Sequence, residues 1–217
     1  MKRILFMTAI CALMAVPAAA SLSWNYDYAD GDGTSLTSPV PGAIVDTFGP
    51  GPRPGWTYTG NYHIRIGDSS IAAAPWSELD NADDNTPYLS VPENLVGSPP
   101  RSVTVDFGGG TYTYLGLHWG SMDRYNQIDF LSGGGVVESI SGLDVTRDSA
   151  SGTQSGALNN AYVNIFSTSS FDAVRIMSTT GQYAFELDNL AVVPVPGAVL
   201  LGMLGLSVVG VKLRKRA

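Results

Sequence analysis

Short runs of alternating polar and apolar residues recur through the middle of this chain, spaced roughly ten residues apart as in small β domains. Gly, Ser, Asn or Asp bounds each run, and no window of helical period reaches a useful length between residues 21 and 192. Alternation with a period of two is the pattern of a strand with one buried face. Regular spacing of short strands is typical of sandwiches and jelly rolls. We therefore expect one exported domain over residues 21–192, an all-β fold of the jelly-roll-like β-sandwich type.

The most regular strands are predicted at residues 101–107 and 111–119, and the glycines between them predict a hairpin. Prolines between residues 49 and 55 exclude a central strand there, because proline has no N–H for the ladder. Further strands are predicted at 126–131, 135–140, 161–166, 173–177 and 184–193, with shorter ones at 22–26, 56–58 and 62–66.

The amino-terminal residues have the composition of a secretory signal peptide. A basic start and an apolar run lead to small residues, which predicts a signal peptide over 1–20 with Ala18 and Ala20 at the cleavage site. Cys11, the single cysteine, lies inside this segment, so the exported domain would have no disulfide and no thiol. The alternative is a lipoprotein, but Ile10 occupies the position where lipidation needs a small residue.

The carboxyl-terminal residues 193–217 are predicted to form a second targeting segment. An apolar run over 197–211 reaches about 22 Å as a helix, which is short for a hydrocarbon core of about 30 Å. Basic residues that reach toward the interface would help it to span, and they should stay in the cytoplasm with the domain outside. The alternative is a buried amphipathic helix, yet the run has almost no polar face. The motif before the run is Val193, Pro194, Val195, Pro196 and Gly197, and the basic stop after it is Lys212, Arg214, Lys215 and Arg216.

This tail resembles the PEP-CTERM sorting tails that exosortases recognise and cleave. The usual motif has Glu between its two prolines, and Val195 takes that place here. The resemblance implies cleavage near the Pro motif by an exosortase-type enzyme, after a transient stage in the inner membrane. It also implies a final location on the cell surface, or in the extracellular matrix, of a Gram-negative-type bacterium.

Charge is divided between the ends and the middle. Residues 21–192 contain six arginines, no lysine and nineteen acids, a formal charge of −13. Such a domain repels nucleic acid and anionic membrane surfaces. Its charge suits a protein that stays soluble outside the cell, one that attracts divalent cations, or both.

Two acidic clusters are candidates for structural Ca²⁺, which prefers oxygen ligands in loops; solvated turns are the alternative for both. The segment 185–192 resembles the final strand of carbohydrate-binding jelly rolls, whose Asp often helps to bind Ca²⁺. We therefore hypothesise that Asp188 completes a site with the first cluster, because the first and last strands of jelly rolls are commonly neighbours. Alternation would put Leu190 on the face of Asp188, and pairing of Asp188 with a turn amide is the alternative. The clusters are Asp27, Asp30 and Asp32, and Glu78, Asp80, Asp83 and Asp84.

The segment 115–126, together with 162–166 and 185–189, is similar to a recurrent family of exosortase-dependent surface proteins. That family carries a Trp-Gly-Ser-x-Asp-x-Tyr-Asn segment, and the resemblance implies a surface β-domain without enzymatic activity. The segment could bind a sugar or could pack the end of a hairpin. The residues concerned are Trp119, Asp123, Arg124 and Tyr125.

Motifs of catalysis are missing from the sequence. The chain has two histidines, with no His-Glu-x-x-His pattern, no Gly-x-Ser-x-Gly elbow and no phosphate loop. A glycosidase needs a pair of carboxyl groups, and no pair can be nominated among nineteen acids. We therefore expect a non-enzymatic structural or adhesive protein. A carbohydrate-binding module for extracellular polysaccharide and a secreted glycan hydrolase are the alternatives.

Overall fold

The computed structural model describes residues 21–27, 37–77, 82–83, 85–93, 101–146, 150–155, 159–180 and 183–195. Nearly all regular structure in these residues is strand. The first seven strands are β1 (Leu22–Asp27), β2 (Ile44–Asp46), β3 (Thr57–Gly60), β4 (His63–Arg65), β5 (Trp76–Ser77), β6 (Ala82–Asp83) and β7 (Tyr88–Val91). The others are β8 (Ser102–Asp106), β9 (Tyr112–Gly120), β10 (Asn126–Ser132), β11 (Gly135–Ser141), β12 (Ala161–Phe171), β13 (Ala173–Ser178) and β14 (Phe185–Pro194), with one short helix, α1 (Gly142–Thr146).

The long strands form two antiparallel sheets. The larger has the order β1-β12-β9-β14-β7-β4, and β2 also pairs with β14. The smaller has the order β11-β10-β13-β8-β3, while β5 and β6 form a separate two-stranded ladder. The prediction of an all-β fold is confirmed, and the two sheets are consistent with a β-sandwich.

The core lies between the two sheets. Alternate residues of β9 supply Leu115, Leu117 and Trp119 from the larger sheet, and β10 supplies Ile128 and Phe130 from the smaller one. Burying each such side chain contributes roughly 1.5–3 kcal/mol. One apolar cluster therefore joins both sheets.

The predicted hairpin between residues 101 and 119 is wrong. Strand β8 pairs with β13 and β3 in the smaller sheet, whereas β9 pairs with β12 and β14 in the larger sheet. Phe107 lies in the core. Gly108 and Gly109, with φ of 80° and 87°, lie in the connection that leads from the smaller sheet to the larger sheet. Alternation shows that a segment is a strand with a buried face, but it does not specify the neighbouring strand.

The predicted alternation along the last strand holds only as far as Asp188. Asn189 has a φ of 50°, and the register of β14 against β9 shifts between Asp188 and Ala191. A bulge of this kind exchanges the two faces of a strand. Leu190 consequently packs in the core with Leu187, and the prediction that it shares the face of Asp188 is wrong.

The first and last described residues are hydrogen bonded to the larger sheet. The N–H of Ser21 donates to Thr168 Oγ1 at 2.9 Å, and the N–H of Thr168 donates to the Ser21 carbonyl at 3.1 Å. The N–H of Val195 donates to the Thr111 carbonyl at 2.9 Å. Thr168 lies near the end of β12 and Thr111 just before β9, and these strands are antiparallel neighbours. Both ends of the domain therefore emerge at the same end of the larger sheet, which we call the proximal end.

The sorting motif begins inside the last strand, since β14 includes Val193 and Pro194. No helix formed by the described residues is long and apolar enough to cross a membrane. The predicted signal peptide, the rest of the motif from Pro196, the apolar run and the basic stop lie outside the described residues.

Candidate functional site

Trp119 lies in the core. Its side chain is 0% exposed, and its ring stacks on Phe185 with centroids 4.6 Å apart and an interplanar angle of 15°. Strand β9 lies between β12 and β14, so its inward side chains are covered by the opposite sheet. The indole has no face available to a sugar, and its prediction as a ligand-binding residue is wrong.

The other three predicted ligand residues lie in the turn between β9 and β10. The N–H of Asp123 donates to Asn126 Oδ1 at 2.8 Å, and the N–H of Asn126 donates to the Asp123 carbonyl at 3.0 Å. Burial raises the pKa of Asp123, and burial together with a hydrogen bond to Asp123 raises the pKa of Tyr125. Arg124 is exposed. Asp123 and Tyr125 are therefore held by the turn itself, as expected if this segment packs the end of the strands.

The premise of the shared Ca²⁺ site is wrong. Strands β1 and β14 are separated by β12 and β9, and the register places Asp27, Tyr162, His118 and Asp188 in one row across the sheet. Three steps of about 4.8 Å put the backbones of Asp27 and Asp188 about 14 Å apart. Two aspartates at that separation are too far apart for one ion that needs oxygens at about 2.3–2.6 Å.

The remaining acidic candidates stay predictions. Asp30, Asp32, Glu78, Asp80 and Asp84 lie outside the described residues, and Asp83 is exposed in β6. Within the part of the chain that the structure describes, no group of three or more His, Cys, Asp or Glu residues could hold a metal ion.

Two buried acids of β14 lie on the side of the larger sheet that faces away from the core. Asp188 accepts hydrogen bonds from Thr86 Oγ1 at 2.9 Å and from the N–H of Asn189 at 2.6 Å. Glu186 accepts one from Ser121 Oγ at 2.5 Å and another from the backbone of Ala73. Burial raises the pKa of Glu186 well above its usual range. Although an acid of this kind can serve in catalysis, Glu186 is enclosed on every side.

An open cleft lies where the two sheets diverge at one edge. Strand β1 ends the larger sheet among the described strands, and β11 ends the smaller one. The cleft between them has two adjoining compartments of about 630 and 340 Å³, and Trp24 lines both. We call this feature the edge cleft.

Aromatic side chains form the β1 wall of the edge cleft. Trp24 pairs with Ile165 and Tyr26 with Val163, and both partners are fully buried core residues of β12. Cross-strand partners project to the same side of a sheet. Trp24 and Tyr26 therefore face the interior side but remain 39% and 43% exposed, because the smaller sheet does not extend far enough to cover them.

The opposite wall is formed by β11 and α1. Val145 and Thr146 lie opposite Tyr26 in the larger compartment, while Glu138 and Asp144 line the smaller one. Asp144 Oδ2 accepts hydrogen bonds from both the N–H and the hydroxyl of Ser141, so it is fixed at the start of α1.

Glu138 is the unusual member of the edge cleft. Its side chain is nine-tenths buried, and Ser167 Oγ of the facing sheet donates to its Oε2. Its Oε1 is buried without a hydrogen-bond partner among the described atoms. Buried polar atoms are nearly always paired, and an exception calls for an explanation.

Sequence reasoning predicted β1 as a strand but did not select its aromatic residues. Their signal is alternation: Leu22, Trp24 and Tyr26 share one face. Only the pairing of β1 at an edge distinguishes these rings from core aromatics such as Trp119.

Comparisons with known proteins found no match among protein-family models, among curated proteins or among solved structures.

Proposed function

We propose that this chain is an exported, exosortase-processed protein of the cell surface or extracellular matrix. Its jelly-roll-like sandwich is a structural or adhesive domain, and no catalysis is assigned to it. The observation that carries the proposal is that the predicted signal peptide and the predicted sorting tail adjoin the domain at the same proximal end. A domain held in this way is tethered from one side and presents the rest of its surface outward.

The last strand limits where the tail can be cut without damage. Strand β14 is central in the larger sheet, and its Pro194, beyond Val193, pairs with Tyr112 of β9. Cleavage before Val193 would remove paired residues, whereas cleavage at Val195 or beyond leaves the strand whole. The proposal therefore assigns processing to the motif between Val195 and Gly197.

Mass spectrometry of the mature protein from the producing cells tests this proposal. We expect an amino terminus at Ser21 and a carboxyl terminus between Val195 and Gly197. The double variant Pro194→Ala/Pro196→Ala should retain the tail to Ala217. A native mature form ending at Ala217 would show permanent anchoring, and retention of residues 1–20 would argue against export.

A further inference from the structure

We propose that the edge cleft binds an extended, uncharged polysaccharide chain, with Trp24 and Tyr26 as stacking surfaces and Glu138 as an acceptor for a sugar hydroxyl. The inference rests on the proposed function in one respect, since export brings the cleft into contact with extracellular polysaccharide.

Aromatic rings that are half exposed on a fixed strand are suited to sugars. Trp24 and Tyr26 lie two residues apart on one face, hence about 6.6 Å apart along the strand. Trp and Tyr offer a large apolar face with a polar edge and lose little conformational entropy on binding. The apolar C–H faces of successive sugar rings can lie on such a surface while the ring hydroxyls remain free to pair.

Glu138 gives the site its second and independent element. A buried acceptor left without a partner is destabilising, and a donor that reaches it relieves that cost. Sugar hydroxyls are such donors, and because Oε1 is closed to solvent in this structure, the ligand reaches it by displacing the side chains that cover it. Because Ser167 holds the other oxygen of the same carboxyl group, Oε1 is oriented before any ligand arrives.

Charge selects the class of polysaccharide. The charged residues among the described lining of the cleft are Glu138 and Asp144, both acidic. The formal charge of −13 over residues 21–192 adds to their field. Uronic acid polymers and nucleic acids would be repelled, so the cleft favours neutral chains.

The shape of the cleft favours a chain over a single sugar. Its two compartments meet at Trp24, one bordered by Leu22 and Glu138 and the other by Tyr26 and Thr146. A ligand that uses both compartments lies along β1 and touches stacking surfaces and the carboxyl group together. Because the binding free energy is spread over several contacts, a chain that makes all of them should bind more tightly than a single sugar.

The test is binding of the full chain, purified in mild detergent, to defined soluble polysaccharides. The probes are mixed-linkage β-glucan, glucomannan, galactomannan and dextran, with alginate as the anionic comparison, measured by affinity electrophoresis and calorimetry. We expect retention by at least one neutral polymer and none by alginate. Trp24→Ala and Glu138→Gln should each weaken binding about tenfold or more, equivalent to about 1.4 kcal/mol. Glu138→Gln keeps the side-chain volume and a partner for Ser167 but replaces the free acceptor with a donor.

Matched controls separate binding from folding. Asn25→Ala alters the same strand on its opposite face, and Tyr183→Ala removes an aromatic that is 57% exposed outside the cleft. Both should bind as the native chain does, and melting temperatures should identify any variant that has lost its fold. If Trp24→Ala does not fold, Glu138→Gln and Tyr26→Ala decide the question.

Three outcomes would overturn the inference: no binding to any neutral probe, stronger binding to alginate, or unchanged binding by both Trp24→Ala and Glu138→Gln in folded protein. If the cleft instead mediates dimerisation and binds no polysaccharide, no neutral probe will bind, which is the first of these outcomes. The result is independent of tail processing, which is read by mass spectrometry, so the two proposals can fail separately.

Discussion

At the residue scale, two buried acids of this domain have pKa values that are shifted in opposite directions. Asp129 lies in β10, where burial opposes its ionisation, but hydrogen bonds from Ser139, Gln127 and Arg175 outweigh burial and lower its pKa. For Glu186, burial outweighs the hydrogen bonds from Ser121 and the Ala73 backbone and raises its pKa well above the usual range. The domain therefore contains one acid that stabilises it when charged and another that stabilises it only when neutral.

Glu186 should make the domain less stable as the pH rises. Its carboxyl group is protonated in both states below the unfolded pKa of about 4.3. Above that pH the unfolded chain releases the proton and the folded chain keeps it, until the pH reaches the raised folded pKa. The free energy of unfolding should fall across this window with a limiting slope of about 1.4 kcal/mol per pH unit. Urea unfolding between pH 4 and pH 8 measures it.

Glu186→Gln should flatten that profile, because the variant has no carboxyl group to titrate at this position. Parallel profiles for the native chain and Glu186→Gln would show that Glu186 does not titrate in this way.

Asp129 should act with the opposite sign. Its folded pKa is lowered, so its stabilisation is present above the unfolded pKa and is lost as the pH falls through the folded pKa. Arg175 donates to Asp129 Oδ2 through Nε at 3.1 Å and through its terminal nitrogen. Arg175→Met should reduce the free energy of unfolding at pH 7 by about 1–3 kcal/mol, with a smaller loss at pH 3. The exposed Arg124→Met should cost less than about 0.5 kcal/mol, and an equal loss at both pH values would argue against the ion pair.

At the element scale, the crossing between β8 and β9 depends on two glycines with different surroundings. Both have positive φ, which favours glycine. A Cβ on Gly108 would lie 2.5 Å from the carbonyl oxygen of Gly55, whereas a Cβ on Gly109 would have nothing within 4 Å. The first position therefore combines backbone strain with a close approach, and the second has strain alone.

The paired variants Gly108→Ala and Gly109→Ala should separate these effects. Gly109→Ala should cost about 1–2 kcal/mol, the usual cost of a left-handed alanine. Gly108→Ala should cost more, because the Gly55 segment has to move as well, and its melting temperature should be the lower of the two. Equal melting temperatures would show that contact with Gly55 does not constrain the crossing.

At the scale of the whole molecule, the two ends of the domain differ in their relation to the chain termini. Ser21 and Val195 emerge at the proximal end, where Ser132 also lies, because the Leu131 carbonyl accepts from the N–H of Asp172 just after β12. Arg124 lies at the opposite end, in the turn that follows β9. Tethering through either terminus should hold the proximal end toward a membrane.

Two single-cysteine variants test this orientation, with Cys11 replaced by Ser in both. In vesicles that contain the full chain, a bulky maleimide should label Arg124→Cys several-fold faster than Ser132→Cys, because the membrane crowds the proximal end. After solubilisation in detergent the two rates should become similar. Equal rates in vesicles would argue against end-on display.

Local sequence patterns were enough to predict that the domain is built from strands and to locate most of them. Alternation identifies a strand locally, because side chains two residues apart share one face. The pattern therefore found β1, β9, β10 and β14 without any knowledge of their partners. The targeting segments at residues 1–20 and 193–217 are also predicted from the sequence, because such segments are recognised by their local composition.

The choice of neighbouring strands, and with it the exposure of each aromatic residue, follows from the packing of the two sheets. Pairing joins residues far apart in the chain, and an alternating segment fits many partners equally well. For this reason β8 and β9 were predicted to pair and do not, and Trp119, a candidate for sugar binding, lies in the core. Trp24 has the same local pattern as Trp119, but it lies on an edge strand where the opposite sheet ends. The exposure of a side chain depends on which part of the opposite sheet covers it, and a local pattern of residues does not give that information.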